Sequence, residues 1–298
     1  MKKNMFKFLV GLILISTFSC TDSEVLYQPI DFVFVGEYTQ GLEGPAVDEN
    51  GNLYFVNPTH SGSIGRIDEK GRFDLFIGHL PKGSTANGIR FGDDQEMFLA
   101  DYTGHNILRV DLETKEVTVF AHDSLLNQPN DLAICCSNRM YASDPNWKNS
   151  TGNIWKVENG VFELLDSKMG TTNGIEVSPD EKTLYVNESI QRKVWAFDID
   201  SQGNISNKKL FHQFEDFGMD GMRCDQNGNL YITRHGKGTV VKLSSQGVLL
   251  KEIKLKGKKP SNIAFGGKDG RTAYITLQDR GYLESFRVEV PGRAFSVN

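Results

Sequence analysis

Six oxygen-bearing polar residues recur at one phase of this 298-residue chain: Glu43, Asn87, Asn130, Asn173, Asp220 and Asn262. Each stands eleven or twelve residues before an aromatic, in the contexts EGP, NGI, PND, NGI, DGM and SNI. Two carboxylates and four carboxamides at one level are the donors a hard cation selects. Calcium takes roughly six to eight oxygens, and magnesium demands a tighter octahedron. None of the six is His or Cys, so the set is not one chosen for zinc or copper. The two acids match the charge of a divalent ion. Such an ion can act as a Lewis acid on a carbonyl and stabilise the oxyanion that develops there. Read without chemistry, the same amides and acids would bond only to backbone or to channel water.

The elements that must carry these residues repeat with them. The aromatics Tyr54, Phe98, Tyr141, Tyr185, Tyr231 and Tyr274 are spaced 44, 43, 44, 46 and 43 residues apart, each in a short strand that follows a polar turn. Six near-equal steps of that length predict an all-β, six-bladed β-propeller with four-stranded blades. In the first unit the strands are Gly44 to Val47, Leu53 to Val56, Ser63 to Ile67 and Phe73 to Ile77, with an Asn50-Gly51 hairpin between the first two. The last unit runs out after its third strand, Leu283 to Val288. Asp31 to Val35 is expected to supply the missing outer strand and close the ring, which protects two sheet edges.

In a propeller the first strand of each blade lines the channel. The six polar residues therefore form a ring at one channel end. Two sets of loops meet at that end: those from each fourth strand to the next inner strand, and those from second to third strand. The second set carries Asp101 and His105, Asp144 and Trp147, and Arg234 and His235, which are candidate substrate contacts. His60 lies in the first loop of the same series. His105 or His235 could carry protons near neutral pH. A Gly-x-Ser-x-Gly elbow is absent, which argues against a serine hydrolase.

The first twenty residues are of another kind. Lys2, Lys3 and Lys7 precede an apolar run from Phe8 to Phe18, too short for a membrane span, and the pattern reads as a secretory signal over residues 1–19. Thr17-Phe18-Ser19-Cys20 resembles a relaxed bacterial lipobox, so Cys20 is expected to be acylated and to tether an exported, periplasmic or cell-surface lipoprotein. Residues 20–30 then read as a linker and 31–298 as the propeller. Removing residues 1–19 takes away three lysines and no acid, and the net charge goes from −5 to −8. An acidic surface repels phosphate backbones and excludes nucleic acid as a partner. Cys135, Cys136 and Cys224 are too few for a disulfide framework and read as small buried hydrophobes. A monomer is expected.

With these residues in order, the chain resembles the gluconolactonase and senescence marker protein (regucalcin) family across about residues 35–287. The resemblance rests on Glu43-Gly44-Pro45, Gln128-Pro129-Asn130-Asp131, Asn173-Gly174-Ile175 with SPDEKTLYV (178–186), Asp220-Gly221-Met222 before GNLYIT, and AFGGKDGRTAYIT (264–276). It implies one divalent cation in the channel, calcium first, with magnesium, manganese or zinc as substitutes. It implies Glu43, Asn130, Asn173 and Asp220 as side-chain ligands, with Asn87 and Asn262 near metal or substrate. It implies a hydrolase for a small lactone or related ester, with Asp220 as base or nucleophile. The animal sugar-lactone hydrolases carry a substrate-contacting arginine two positions before the Asn130 equivalent. This chain has Gln128 there, so sugar-lactone specificity does not carry over. Two other readings stay open: a non-catalytic, calcium-stabilised platform that binds a ligand at the mouth, and hydrolysis of phosphoester-like compounds at the same site.

Overall fold

The computed structural model describes residues 25–36, 39–92, 96–135 and 139–295. The expected signal segment 1–19, the anchor at Cys20 and the residue Cys136 lie outside them. The described residues form 24 strands in six four-stranded antiparallel sheets and contain no helix. Blades run β2 (Glu43–Val47) to β5 (Phe73–Ile77), β6 (Ala86–Phe91) to β9 (Val117–His122), β10 (Leu132–Ile134) to β13 (Val161–Met169), β14 (Thr172–Val177) to β17 (Ile205–Gln213), and β18 (Met222–Cys224) to β21 (Leu249–Lys254). The sixth blade has the order β1-β24-β23-β22. Its first three strands are β22 (Pro260–Gly266), β23 (Thr272–Leu277) and β24 (Tyr282–Arg287), and its outer strand is β1 (Ile30–Phe34).

The closure anticipated from the sequence is therefore present, shifted by one residue. β1 pairs antiparallel with β24, with Ile30 opposite Ser285 and Phe34 opposite Tyr282. Residues 25–29, read as the end of a linker, are also tied down. Leu26 bridges Arg287, and the Tyr27 hydroxyl accepts from Lys242 Nζ at 3.0 Å. Lys242 and Lys251 also lie over the Tyr27 ring. The chain thus enters the propeller before its first strand.

The repeating aromatics hold neighbouring blades together. Tyr54 packs in one cluster with Ile89 and Met97 of the next blade, Phe98 with Leu132, Tyr141 with Ile175, Tyr185 with Met222, and Tyr231 with Ile263. Tyr274 of the last blade meets Leu42 and Phe55 of the first. Six clusters fill six blade interfaces, so the period of the sequence is the period of the packing. A buried aromatic of this size contributes on the order of 2–3 kcal/mol through area alone. That is why one aromatic per repeat is the clearest mark of the fold.

Candidate cation centre and substrate mouth

The six ring residues sit where the inner strands begin, and in four blades the ladder is irregular there. Register shifts fall between Glu43 and Ala46, Ala86 and Gly88, Thr172 and Ile175, and Pro260 and Asn262. A bulge changes which side chains face one way, because a regular strand alternates strictly. Arg90 and Glu176, three positions on in two of these blades, thus also reach the channel, where with Arg223 of the regularly paired fifth blade they line a cavity at its far end.

The residue after each ring member sets the spacing of the ring. A Cβ at Gly44 would stand 2.4 Å from Asn87 O, one at Gly88 3.0 Å from Asn130 O, and one at Gly174 2.5 Å from Asp220 O. At Gly221 it would lie 1.9 Å from Cγ of Asn262. Each glycine therefore touches the next ring member. Gly44 also has φ +53°, a conformation L side chains rarely adopt. The Asn87-Gly88, Asn173-Gly174 and Asp220-Gly221 pairs are close approaches between blades and not hairpin turns, unlike Asn50-Gly51. The third and sixth blades have Asp131 and Ile263 in this position instead.

Glu43, Asn130 and Asn173 are buried, and Asp220 keeps part of its surface open although other groups surround it. Glu43 Oε2 accepts from Gly44 N at 2.6 Å, and its carboxylate also meets the side chains of Asn262 and Asp220. Burial pushes the Glu43 carboxyl up to about 7, with the Asp131 charge adding to the effect. Burial raises Asp220 well above the usual carboxylate range, and neighbouring Glu43 raises it further. Two acids in contact titrate as one unit. Asn173 lies against Asp220, and its Oδ1 is buried with no hydrogen-bond partner. Half-buried Asn87 donates to Asn130 O at 3.2 Å. Asn262 donates to Asp131 at 3.3 Å, and its Oδ1 accepts from Ile263 N.

A hard cation suits this donor set. An unsatisfied amide oxygen and two carboxylates pressed together are costly in a buried place, and a cation relieves both costs. Among the described residues no three of His, Cys, Asp and Glu gather at one point. The fit therefore depends on amide oxygens as much as on acids.

A layer that the sequence reading missed lies next to the ring. Asp131 is fully buried, with Arg90 at 3.0 Å and Arg223 at 3.4 Å. Burial opposes its ionisation, but the two guanidiniums outweigh that and hold its carboxyl below the usual range. Asp131 was visible in the PND triplet, yet nothing in a linear sequence pairs it with Arg223, 92 positions away.

The candidate substrate contacts divide into two groups. Asp101, Asp144 and Arg234 occupy equivalent positions at the ends of second strands, and at 0%, 0% and 1% exposure they lie inside the wall. They tie down the chain just before a ring residue. Asp101 accepts from Thr85 N and Ser84 Oγ, Asp144 from Gln128 N and Asn127 N, and Arg234 Nε donates to Gly218 O. Asn57 does the same in the first blade by donating to Gly41 O, and Glu188 in the fourth by accepting from Gly170 N. Asp144 also receives Asn153 Nδ2 at 2.9 Å and Trp155 Nε1 at 3.0 Å. Asp144→Ala should therefore cost about 3 kcal/mol, because it strands several buried donors at once. Urea unfolding would measure this, and a loss below about 1 kcal/mol would contradict the tethering role.

Gln128 and Trp147 do come together at the mouth. Their side chains flank the Tyr102 hydroxyl, and burial raises the Tyr102 pKa against their opposing effect. Trp147 remains 36% exposed. Tyr102 belongs in the candidate set, and its signal in the sequence was only an aromatic beside Asp101. His105 Nδ1 lies 2.5 Å from Leu126 O, which leaves Nε2 as the acceptor nitrogen. His235 faces Gln278 at 3.3 Å, and burial lowers its pKa, so it is neutral near pH 7. His60 stands 3.2 Å from His79 and 2.7 Å from Gly78 O, between two loops of the same rim.

Comparison with known proteins agrees with this architecture. The family described as the SMP-30/Gluconolactonase/LRE-like region matches residues 42–279. A gluconolactonase of Zymomonas mobilis is 27% identical over 273 residues, covering 80% of this chain and 76% of that protein. Pig regucalcin is 36% identical over 123 residues, covering 40% of this chain and 41% of that protein. The crystal structure of a calcium-binding regucalcin from Agrobacterium tumefaciens superposes with a TM-score of 0.78 at 22% identity, over 88% of this chain and 95% of that one, and so shares its fold. With the matched segment spanning all six blades from Leu42 to Asp279, the chain belongs to the SMP-30/gluconolactonase/LRE-like family.

Proposed function

We propose that this chain is a cation-dependent hydrolase of a small lactone or related ester, exported and tethered through Cys20, with its reaction centre at the ring end of the channel. The observation that carries the reading is the buried pair Glu43 and Asp220 beside the unpartnered Asn173 Oδ1. Family membership and the gluconolactonase relative support lactone hydrolysis. The regucalcins support calcium as the ion.

Glu43, Asn130, Asn173 and Asp220 are the side chains that would hold the ion. Bound there, a divalent cation supplies a Lewis acid for the lactone carbonyl oxygen and the positive charge the two acids lack. Of the two acids, Asp220 is the one that keeps part of its surface open, so it is assigned to receive the proton of the attacking water or to attack directly. Glu43 is turned to Gly44 N and Asn262 and serves to bind. Neutral His235 and the free nitrogen of His105 are acceptors that could pass the proton outward. Tyr102, Gln128 and Trp147 present a polar edge and an aromatic face to the substrate ring. With glutamine in place of a cationic side chain, they favour an uncharged lactone.

The test is a panel of aldonolactones and simple lactones, assayed with the chain lacking residues 1–20, in calcium and in chelator. Turnover that needs calcium is expected on at least one simple lactone. No turnover on any lactone, with calcium shown to be bound, would overturn the assignment.

A further inference from the structure

The channel has a second end, and the chain closes it in a way the repeat does not predict. After β24, residues 291–295 cross the far mouth as a strap. Gln226 N donates to Pro291 O, Gly292 N to Gly270 O and Arg293 N to Cys224 O. The Arg293 guanidinium reaches Ile134 O at 2.6 Å and Glu176 at 3.3 Å. Between this strap and the inner strands lies a cavity of about 400 Å³.

The walls of this cavity have two characters. Phe91, Phe265 and Phe295 are half-buried and line it. Its charged lining includes Arg90 and Arg223, both 8% exposed, and Arg293 on the strap. These three guanidiniums face two buried carboxylates, Asp131 and Glu176. Glu181 stands off at 3.9 Å from Arg293 and is partly solvated, so it offsets little. Asp48, also in the wall and buried, accepts only from the neutral donors of Asn52 and Tyr54 and keeps its charge. With Asp48 counted, three guanidiniums stand among three carboxylates, so the charges balance and what the wall lacks is a partner for a guanidinium N–H. Arg90 Nη2 is buried and has no hydrogen-bond partner. Burial, and then the nearby Arg223 charge, lower the Arg90 pKa to about 10 against the opposing pull of Asp131 and Glu176.

We propose that the far-end cavity is a second ligand site, for a small amphiphilic monocarboxylate whose head meets the Arg90 and Arg223 guanidiniums and whose apolar body lies among Phe91, Phe265 and Phe295. A carboxylate accepts paired N–H donors from guanidinium and so answers the unpartnered Arg90 Nη2. The site is separate from the ring and does not depend on the lactonase reading.

Benzoate is a suitable probe, with benzyl alcohol as its uncharged counterpart. Calorimetric titration of the calcium-loaded chain is expected to show one benzoate site of millimolar affinity, with benzyl alcohol bound about tenfold more weakly or less. Arg90→Gln should weaken benzoate about tenfold. Arg293→Gln, on the partly exposed strap, should weaken it in the same direction and keeps the test open should the buried substitution fail to fold. Chelation of calcium should leave benzoate binding unchanged. No binding of benzoate, binding indifferent to both arginine substitutions, or binding abolished by chelator would each overturn the proposal.

Discussion

Asp220→Ala is expected to lower kcat/KM for any lactone the protein hydrolyses by about a thousandfold or more, or roughly 4 kcal/mol of transition-state stabilisation. The substitution removes a cation ligand and the acid assigned to the attacking water together. Asn173→Ala should do less to the reaction and more to binding. Its Oδ1 is a buried oxygen without a hydrogen-bond partner, so its loss should weaken calcium by about tenfold or more while leaving Asp220 in place. Calorimetry of calcium binding beside steady-state kinetics separates the two. Wild-type turnover in Asp220→Ala with calcium bound would remove Asp220 from the mechanism. Equal effects of both substitutions on calcium affinity and on rate at saturating calcium would remove the distinction between holding and reacting.

The second large effect is on stability. In the metal-free protein, Glu43 is raised from 4.5 to about 7 by burial, then by the Asp131 charge. Asp220 moves upward as well, through burial and Glu43. A carboxyl whose pKa is higher in the folded state binds its proton more tightly there. It imposes no cost below the unfolded value, and folding loses stability as pH rises above that value until the folded group also ionises. Stability of the calcium-free chain should therefore fall between about pH 4.5 and 7, by on the order of 3 kcal/mol from Glu43 alone. Asp131 has the opposite sign, with a lowered value set by Arg90 and Arg223 against the cost of burial, so its stabilisation is present above the unfolded value and is lost only as pH falls below it. The difference between wild type and Glu43→Gln isolates the raised group. Calcium should restore the lost stability, and more at pH 7.5 than at pH 5, because protonated acids bind it poorly. Denaturant midpoints across this range, with calcium and with chelator, give the answer. A calcium-free stability that is flat with pH, or one that falls equally in Glu43→Gln, would show that the two acids are not the strained pair described above.

Much of this protein can be read from the chain alone, because a propeller writes its architecture as a period. Tyr54, Phe98, Tyr141, Tyr185, Tyr231 and Tyr274 recur because each must fill the same interface with the next blade. Glu43, Asn87, Asn130, Asn173, Asp220 and Asn262 recur because the inner strands begin at one level. Blade number, ring identity and the closing strand follow from that regularity. The cation itself, its ligand set and the anchor at Cys20 remain the proposals tested by the experiments above.

The tertiary structure decided which way polar residues face and what they meet. Asp101, Asp144 and Arg234 read as mouth residues because they sit in loops of the right series. They lie in the wall because the backbone just ahead of each ring residue needs hydrogen-bond partners once buried. Tyr102, Gln128 and Trp147 meet only because loops of two different blades curl over one rim. The Arg90–Asp131–Arg223 layer depends on the irregular start of the Arg90 strand and on charges brought together from three blades. The strap over the far mouth lies outside the repeat altogether. A sequence period records contacts made in the same way by every blade. It carries no information about contacts made once, across the channel, by side chains from unlike positions, and those contacts give this ring its electrostatic setting.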